Sequence, residues 1–355
     1  MLRTISFCLI VTCLSSAARA QAPADTAKPA APAPPALSIT GSADVYYRYN
    51  FNKQVNSPTS FTMSHNQAKL GMASVKLEHK TAKVDMVADL GFGPRAKEFA
   101  YNDDGITQAI KQLYISYTIN QYIKLTGGTW GTHVGYEVLD AYANRNYSMS
   151  YMFTNGPFSH TGLKADLTFG KHGFMIGVSN PTDFRSVPDT LHNHKNIIAQ
   201  YSFAPNDNFK LYLNYVGGKN PVDAKINQYD LVATAKVSSM FSLGLNGTVN
   251  QSSYAADDYN HKSTWWGSAL YLNLDPKPWF GLTLRGEYFS DKDHIKVGAD
   301  NIFATTLSAQ FKVDGFTFIP EFRMDNAKQE IFFKSDGITG TKSTGSFLIA
   351  AIYSF

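Results

Sequence analysis

From Leu37 to Phe355 apolar and polar side chains alternate with a period of two, in segment after segment. In the first such segment Ala43, Val45, Tyr47, Tyr49 and Phe51 share one face, and Ser42, Asp44, Tyr46, Arg48 and Asn50 share the other. Successive side chains of a strand point to opposite faces, so this pattern belongs to a half-buried strand. The same rule sets Val84, Met86, Ala88, Leu90 and Phe92 against Lys83, Asp85 and Asp89. It recurs in about 16 segments, near 38–50, 66–78, 82–91, 108–119, 122–131, 158–169, 173–180, 195–203, 209–217, 227–237, 241–250, 263–274, 279–289, 302–312, 315–324 and 345–355. No stretch of comparable length shows a helical repeat.

The connections alternate too. Short turns fall near His79-Lys80, Asn120-Gln121, Gly170-Lys171-His172, Pro205-Asn206-Asp207, Ser238-Ser239-Met240, Asp275-Pro276-Lys277 and Val313-Asp314-Gly315. Between them lie long loops near 52–65, 92–107, 132–157, 181–194, 218–226, 251–262, 290–301 and 325–344. Membrane barrels are asymmetric in this way, with short turns on the periplasmic side and long loops outside. Beyond residue 20 no apolar run is long enough to cross a bilayer as a helix, which takes about 20 residues. A closed barrel is the other way to satisfy every backbone donor and acceptor in hydrocarbon. Composition agrees: 44% of residues are hydrophobic, 14% are aromatic and only 17% charged. Soluble domains carry roughly 25% charged residues. The expected fold is an all-β, transmembrane, antiparallel up-and-down barrel over 37–355.

The first residues read as an export signal. Arg3 precedes an apolar run from Ile5 to Leu14, and Ala18-Arg19-Ala20 offers a small-x-small cleavage pattern. That assigns 1–20 to a signal peptide and starts the mature chain at Gln21. Both cysteines, Cys8 and Cys13, leave with it, which excludes disulfides and cysteine metal sites from the remainder. Loss of Arg3 and Arg19 lowers the formal charge from +4 to +2. No basic patch suggests nucleic acid. Residues 21–36, QAPADTAKPAAPAPPA, read as an extended periplasmic linker, because proline removes donors and fixes φ.

The final segment, GSFLIAAIYSF, puts Phe347, Ile349, Ala351, Tyr353 and Phe355 on one apolar face. It is similar to the terminal strand that outer-membrane barrels present to their assembly machinery, with Tyr353 and Phe355 as its aromatic signal. Aromatics near other segment ends suit the headgroup level: Tyr49, Phe51, Phe92, Phe169, Phe203, Phe209, Phe241, Trp279, Phe280, Tyr288, Phe311 and Phe316. Pro320 breaks the pattern. It cannot donate to a ladder, so a bulge or a displaced boundary is expected there.

Residues 144–165, NRNYSMSYMFTNGPFSHTGLKA, carry a resemblance to a known family. Asn144, Asn146, Tyr147 and Ser148, then Gly156, Pro157, Phe158, His160, Thr161 and Gly162, resemble the OmpL-like β-barrel porins of Gram-negative bacteria. The preceding GGTWGTHVGYEVLD (127–140) is similar to the same family's approach to this loop. The resemblance implies an outer-membrane porin-like barrel and no defined substrate.

A barrel of this size leaves an aqueous channel. Alternation assigns its wall Asp44, Arg48, Lys83, Asp85, Asp89, Lys124, Lys164, Asp166, Lys210, Asp230, Lys236, Arg285, Glu287, Glu321 and Arg323. The signs are mixed, which predicts weak ion selectivity at most. The loop at 132–157 is the candidate constriction, with His133, Tyr136, Glu137, Asp140 and Arg145. The expected function is passive diffusion of small hydrophilic solutes or ions across the outer membrane. Two alternatives are a non-conducting surface adhesin or scaffold and a sugar or oligopeptide channel, the latter hinted at by Tyr254 and Tyr259. Enzymatic readings are weak. Asp291, Asp293 and His294, or Ser159 and His160, lack the third group that activates a nucleophile. Asp103-Asp104-Gly105 and Asp257-Asp258 are loop acids with no full ligand set for calcium. No cofactor or metal is expected. The expected partners are outer-membrane lipid, the barrel-assembly machinery and small solutes, and the fold class allows a homotrimer.

Overall fold

The computed structural model describes residues 36–355. The expected signal peptide and all but the last residue of the expected linker lie outside the described residues.

The alternating segments form β1 (Ala36–Asn50), β2 (Gln67–Lys80), β3 (Val84–Phe92), β4 (Ile110–Thr118), β5 (Ile123–Gly131), β6 (Ser159–Phe169), β7 (His172–Ser179) and β8 (Asn196–Asn206). They continue as β9 (Phe209–Lys219), β10 (Lys225–Lys236), β11 (Phe241–Ser253), β12 (Ser263–Lys277), β13 (Phe280–Ser290), β14 (Asn301–Val313) and β15 (Phe316–Ala327). The last long loop adds a two-rung hairpin of β16 (Phe332–Phe333) and β17 (Gly340–Thr341), and β18 (Ser343–Ser354) ends the sheet. Leaving that hairpin aside, 16 strands form one closed antiparallel barrel. β1 meets β18 in a continuous register from Ser42–Ser354 to Asn50–Ser346. Closure removes the exposed edges that an open sheet would present to other chains. Among the described residues, no helix is long and apolar enough to cross a membrane. Two short helices sit in loops, α1 (Pro94–Phe99) and α2 (Tyr151–Asn155).

Exposure follows the period of two. Val45, Leu163, Ile176, Leu270, Leu284, Leu307 and Phe347 face outward, while Asp44, Asp230, Arg285 and Glu321 are buried inside. Aromatic rings cluster at both rims, where amphipathic rings favour headgroups. On the short-turn side Tyr122 stacks on Phe169 at 5.7 Å, and Phe280 meets Phe311 at a tilt, 5.1 Å apart. Trp266–Tyr288 and Phe51–Phe322, at 5.2 and 5.9 Å, lie toward the long loops.

Two expectations need correction. Pro320 makes no bulge, and it lies inside a strand that runs on to Ala327, three residues past the expected end. It pairs with Ile349 of β18. On its other side Ser308–Glu321 and Phe311–Phe318 flank it with no change of register. The barrel simply omits the rungs that proline cannot supply. Lys83 is not on an inner strand face. It lies exposed in the turn before β3, where its carbonyl accepts from Thr118 N at 2.8 Å.

Candidate functional site

The loop from Thr132 to Phe158 enters the barrel and lies across the inner faces of β10 to β15, β18 and β1. Its path begins at Gly135, whose φ of +93° is a conformation glycine adopts readily. There the Gly135 N–H donates to Asp230 at 3.0 Å. Tyr136 then stacks on Tyr271, with ring centroids 4.1 Å apart. Glu137 accepts from Arg285 Nη1 at 2.5 Å and from Ser150 N at 2.8 Å. Arg145 reaches Asp275 at 2.5 Å and Thr283 at 2.9 Å. The loop ends its traverse at Tyr147, whose hydroxyl donates to Asp44 at 2.5 Å.

The loop's backbone is satisfied largely by charged wall side chains. Glu321 accepts from Tyr147 N at 2.7 Å and Ser148 N at 3.1 Å. Glu287 accepts from Tyr151 N at 2.8 Å. Arg285 donates to Ser148 O and Arg323 to Met149 O, each at 2.7 Å. Gln310 donates to the carbonyls of Asn144 and Arg145 at 3.1 and 3.2 Å. An irregular segment buried in a barrel needs such partners, because an unpaired buried backbone group costs about 1–3 kcal/mol. Locally, Asn144 closes a turn on Val138, accepting from its N–H and donating to its C=O. The Ser150 hydroxyl caps α2 by accepting from Phe153 N at 3.1 Å.

Apolar packing reinforces the anchorage. Tyr151 and Met152 sit against the inward side chains of Trp265, Ala269, Tyr271, Phe289, Ile302 and Ala304. Tyr147 packs with Tyr46, Ile319, Leu348, Ala350 and Ile352. The expected polar interior is therefore corrected: this half of the wall mixes charges with an apolar surface that the loop covers.

Several residues at the site escape a reading by alternation. Lys111 is the extra residue of a bulge, because Asp89 pairs with Gln112 and Leu90 with Ile110. A bulge re-aims a side chain. Here Lys111 points inward to Asp89 at 3.0 Å and to Asp140 of the loop at 2.6 Å. Gly71 lies against Asp44, and a Cβ there would sit 1.7 Å from the Asp44 carboxylate. Arg95 of α1 is buried over the Tyr147 ring at 4.8 Å and donates to Leu139 O at 3.1 Å.

The remaining wall candidates fall into two groups. Arg48 is buried and holds the first long loop, donating to Val55 O at 2.7 Å and Ser64 O at 2.6 Å. Asp230 is saturated by Gly135 N, Asn214, Asn246 and Thr248. The second group makes no hydrogen bond or ion pair to the 136–150 segment among the described residues. Asp85 pairs with Lys124 at 2.6 Å, and Lys164 with Asp166 at 3.0 Å. Lys210 stands exposed on β9 near the short-turn end, and Lys236 is exposed at the end of β10. At the loop's entry His133 Nε2 donates to Tyr215 O at 3.2 Å, and its ring lies 5.1 Å from that of His160. Burial pushes the His133 imidazole down to about 4, so it is neutral at physiological pH. Extracellular Asp183 fastens the loop's far end, accepting from Phe158 N at 2.7 Å and Ser159 N at 2.8 Å.

Comparisons with known proteins agree with this architecture. The anion-selective porin from Comamonas acidovorans superposes with a TM-score of 0.63 at 10% identity, covering 91% of this chain and 100% of that one. The outer-membrane channel DcaP of Acinetobacter baumannii gives 0.62 at 11% identity, covering 90% and 97%. A loop-deletion form of OmpT from Vibrio cholerae gives 0.60 at 10% identity, covering 90% and 99%. Among curated proteins, none matches this sequence. The fold is thus that of the outer-membrane porins. The family model described as "Putative beta-barrel porin-2, OmpL-like" matches residues 36–355, and the chain belongs to that family. It is a porin-like channel of the bacterial outer membrane, of the kind that passes small hydrophilic solutes by diffusion.

Proposed function

We propose that the loop 132–158 sets the constriction of this channel. Solutes then pass between the loop and the face carrying Asp85, Lys124, Lys164 and Asp166. The observation that carries this reading is the anchorage of one loop to wall residues from Asp230 round to Asp44. Held by side chains from β1, β4, β10 to β15 and β18, it narrows the lumen as a fixed element rather than a swinging one. The pairing of Asp85 with Lys124 and of Lys164 with Asp166 supports weak ion selectivity, because opposite charges cancel along the path. Single-channel recording in a planar bilayer tests the reading. Deleting 136–150 should raise conductance, with heat-modifiable migration on a gel confirming a folded barrel. An unchanged conductance overturns it.

The protein acts as a channel and not as an enzyme in this reading. Asp291 is spent on the backbone N–H groups of Ile295, Lys296 and Val297, and His294 on Asp300. Asp103 is engaged by Arg185. The division into a signal peptide at 1–20, a linker at 21–36 and the barrel, delivery to the assembly machinery and a homotrimeric assembly belong to the same proposal. The outward-facing aromatics Tyr353 and Phe355 support the delivery step.

A further inference from the structure

The extracellular loops bring together three side chains that the channel reading does not use. His192 and His194 lie in the connection between β7 and β8, and Asp223 lies between β9 and β10. The two histidines are two residues apart, and a tight turn closed by His194 N donating to His192 O at 3.0 Å brings both rings to Asp223. Their centroids are 5.6 Å apart. His192 Nδ1 lies 2.5 Å from one Asp223 oxygen and His194 Nε2 lies 2.6 Å from the other. The three potential ligand atoms all fall within 4.8 Å of one another.

The surrounding loops hold Asp223 in place. It has a left-handed backbone, φ 65°. The Asn220 side chain closes the turn by accepting from Val222 N at 3.1 Å and Ala224 N at 2.9 Å. Tyr259, from the connection between β11 and β12, donates to the Asp223 carbonyl at 3.0 Å. His192 N donates to Pro221 O at 3.2 Å. Three loops therefore converge on the cluster. One opposing charge is close: Lys219 Nζ lies 3.8 Å from Asp223. It also lies over the Tyr259 ring at 5.2 Å.

We propose that His192, His194 and Asp223 form an extracellular binding site for a divalent transition-metal ion of zinc-like preference. Two imidazoles and one carboxylate match Zn²⁺, which takes nitrogen and oxygen ligands in a tetrahedron and leaves a fourth position to water. Mg²⁺ and Ca²⁺ prefer oxygen ligands and fit this set poorly. Metal entry breaks the two imidazole–carboxylate contacts. A neutral imidazole that donates to Asp223 shifts its proton to the opposite ring nitrogen and offers the vacated lone pair to the ion, so no proton is released overall. The bound ion would tie the 180–195 connection to the 220–224 turn above the barrel mouth.

Titration calorimetry on the full chain in detergent, stripped of metal and free of any polyhistidine tag, tests this with Zn²⁺ as the probe. One Zn²⁺ should bind per chain saturably at pH 7.5, with Mg²⁺ and Ca²⁺ silent. Losing even an indirect partner of a metal ligand weakens binding roughly 10–100-fold, and losing a ligand should cost at least as much. His192→Ala, His194→Ala and Asp223→Asn should therefore each weaken binding roughly tenfold or more. Heat-modifiable migration checks that each variant forms its barrel. No saturable Zn²⁺ binding, or binding indifferent to the three substitutions, overturns the site.

Discussion

Glu137 and Arg285 meet at 2.5 Å inside the barrel, both buried, one on a loop and the other on the wall. Glu287 stands 3.6 Å from the same guanidinium and 3.4 Å from that of Arg323. Each charge is matched, so the loop and the wall share one electrostatic network. Removing one partner from a buried pair is costly, on the order of 3–5 kcal/mol, because the survivor stays buried and unpaired.

Arg285→Met therefore should free the loop while leaving the barrel closed. It strands Glu137 and Glu287 and withdraws the donor to Ser148 O. Limited proteolysis should cut within 137–150 at least tenfold faster than in the parent, the loss expected from about 1.4 kcal/mol of anchorage. Unaltered cleavage would show that the guanidinium is not an anchor.

Gly71→Ala should disturb the other end of the loop. The new Cβ meets the Asp44 carboxylate and lies 2.8 Å from the Tyr147 hydroxyl. Overpacking of this kind costs roughly 1–3 kcal/mol. The urea midpoint of unfolding should fall, and Tyr147→Phe, which deletes the hydroxyl, should relieve part of the loss. A Gly71→Ala barrel as stable as the parent would contradict the contact.

Asp183 makes the extracellular side pH-dependent. Burial pushes its carboxyl from 3.8 up to about 6. Between those values the unfolded chain sheds a proton that the folded one keeps. Stability from this group is thus greatest below 3.8, falls as pH rises and is fully lost above 6. Hydrogen exchange around Phe158 and Ser159, corrected for intrinsic rates, should show more protection at pH 5 than at pH 7. Asp183→Asn should flatten that difference; if it persists in the variant, another group is responsible.

Deleting Phe355 should impair assembly. Its backbone exchanges two hydrogen bonds with Gly41, both at 3.0 Å, at the seam where the barrel closes. The heat-modifiable fraction recovered from outer membranes should drop severalfold. Normal recovery would argue that neither the seam pair nor the terminal aromatic matters.

The period of two in residues such as Tyr46-Tyr47-Arg48 was enough to place every barrel strand, since a one-residue slip would expose Arg48 to lipid. Loop parity was likewise legible, because turn length is a property of the chain. Alternation could not say what an inward residue faces. Trp265 and Trp266 are neighbours of identical chemistry, yet Trp265 is buried in the lumen and Trp266 faces outward. Asp230 and Glu321 read as wall charges in water, and the fold turns them into acceptors for loop backbone.

Strand number, order, antiparallel sense and the two faces of the barrel all follow from local alternation and turn spacing. The path of the loop 132–158 depends instead on long-range contacts. Its anchors on Asp44, Asp230, Glu287 and Glu321 are distant in sequence and become neighbours only once closure rolls their strands around a common interior. The same closure gathers His192, His194 and Asp223 at the rim, a grouping that no local pattern encodes.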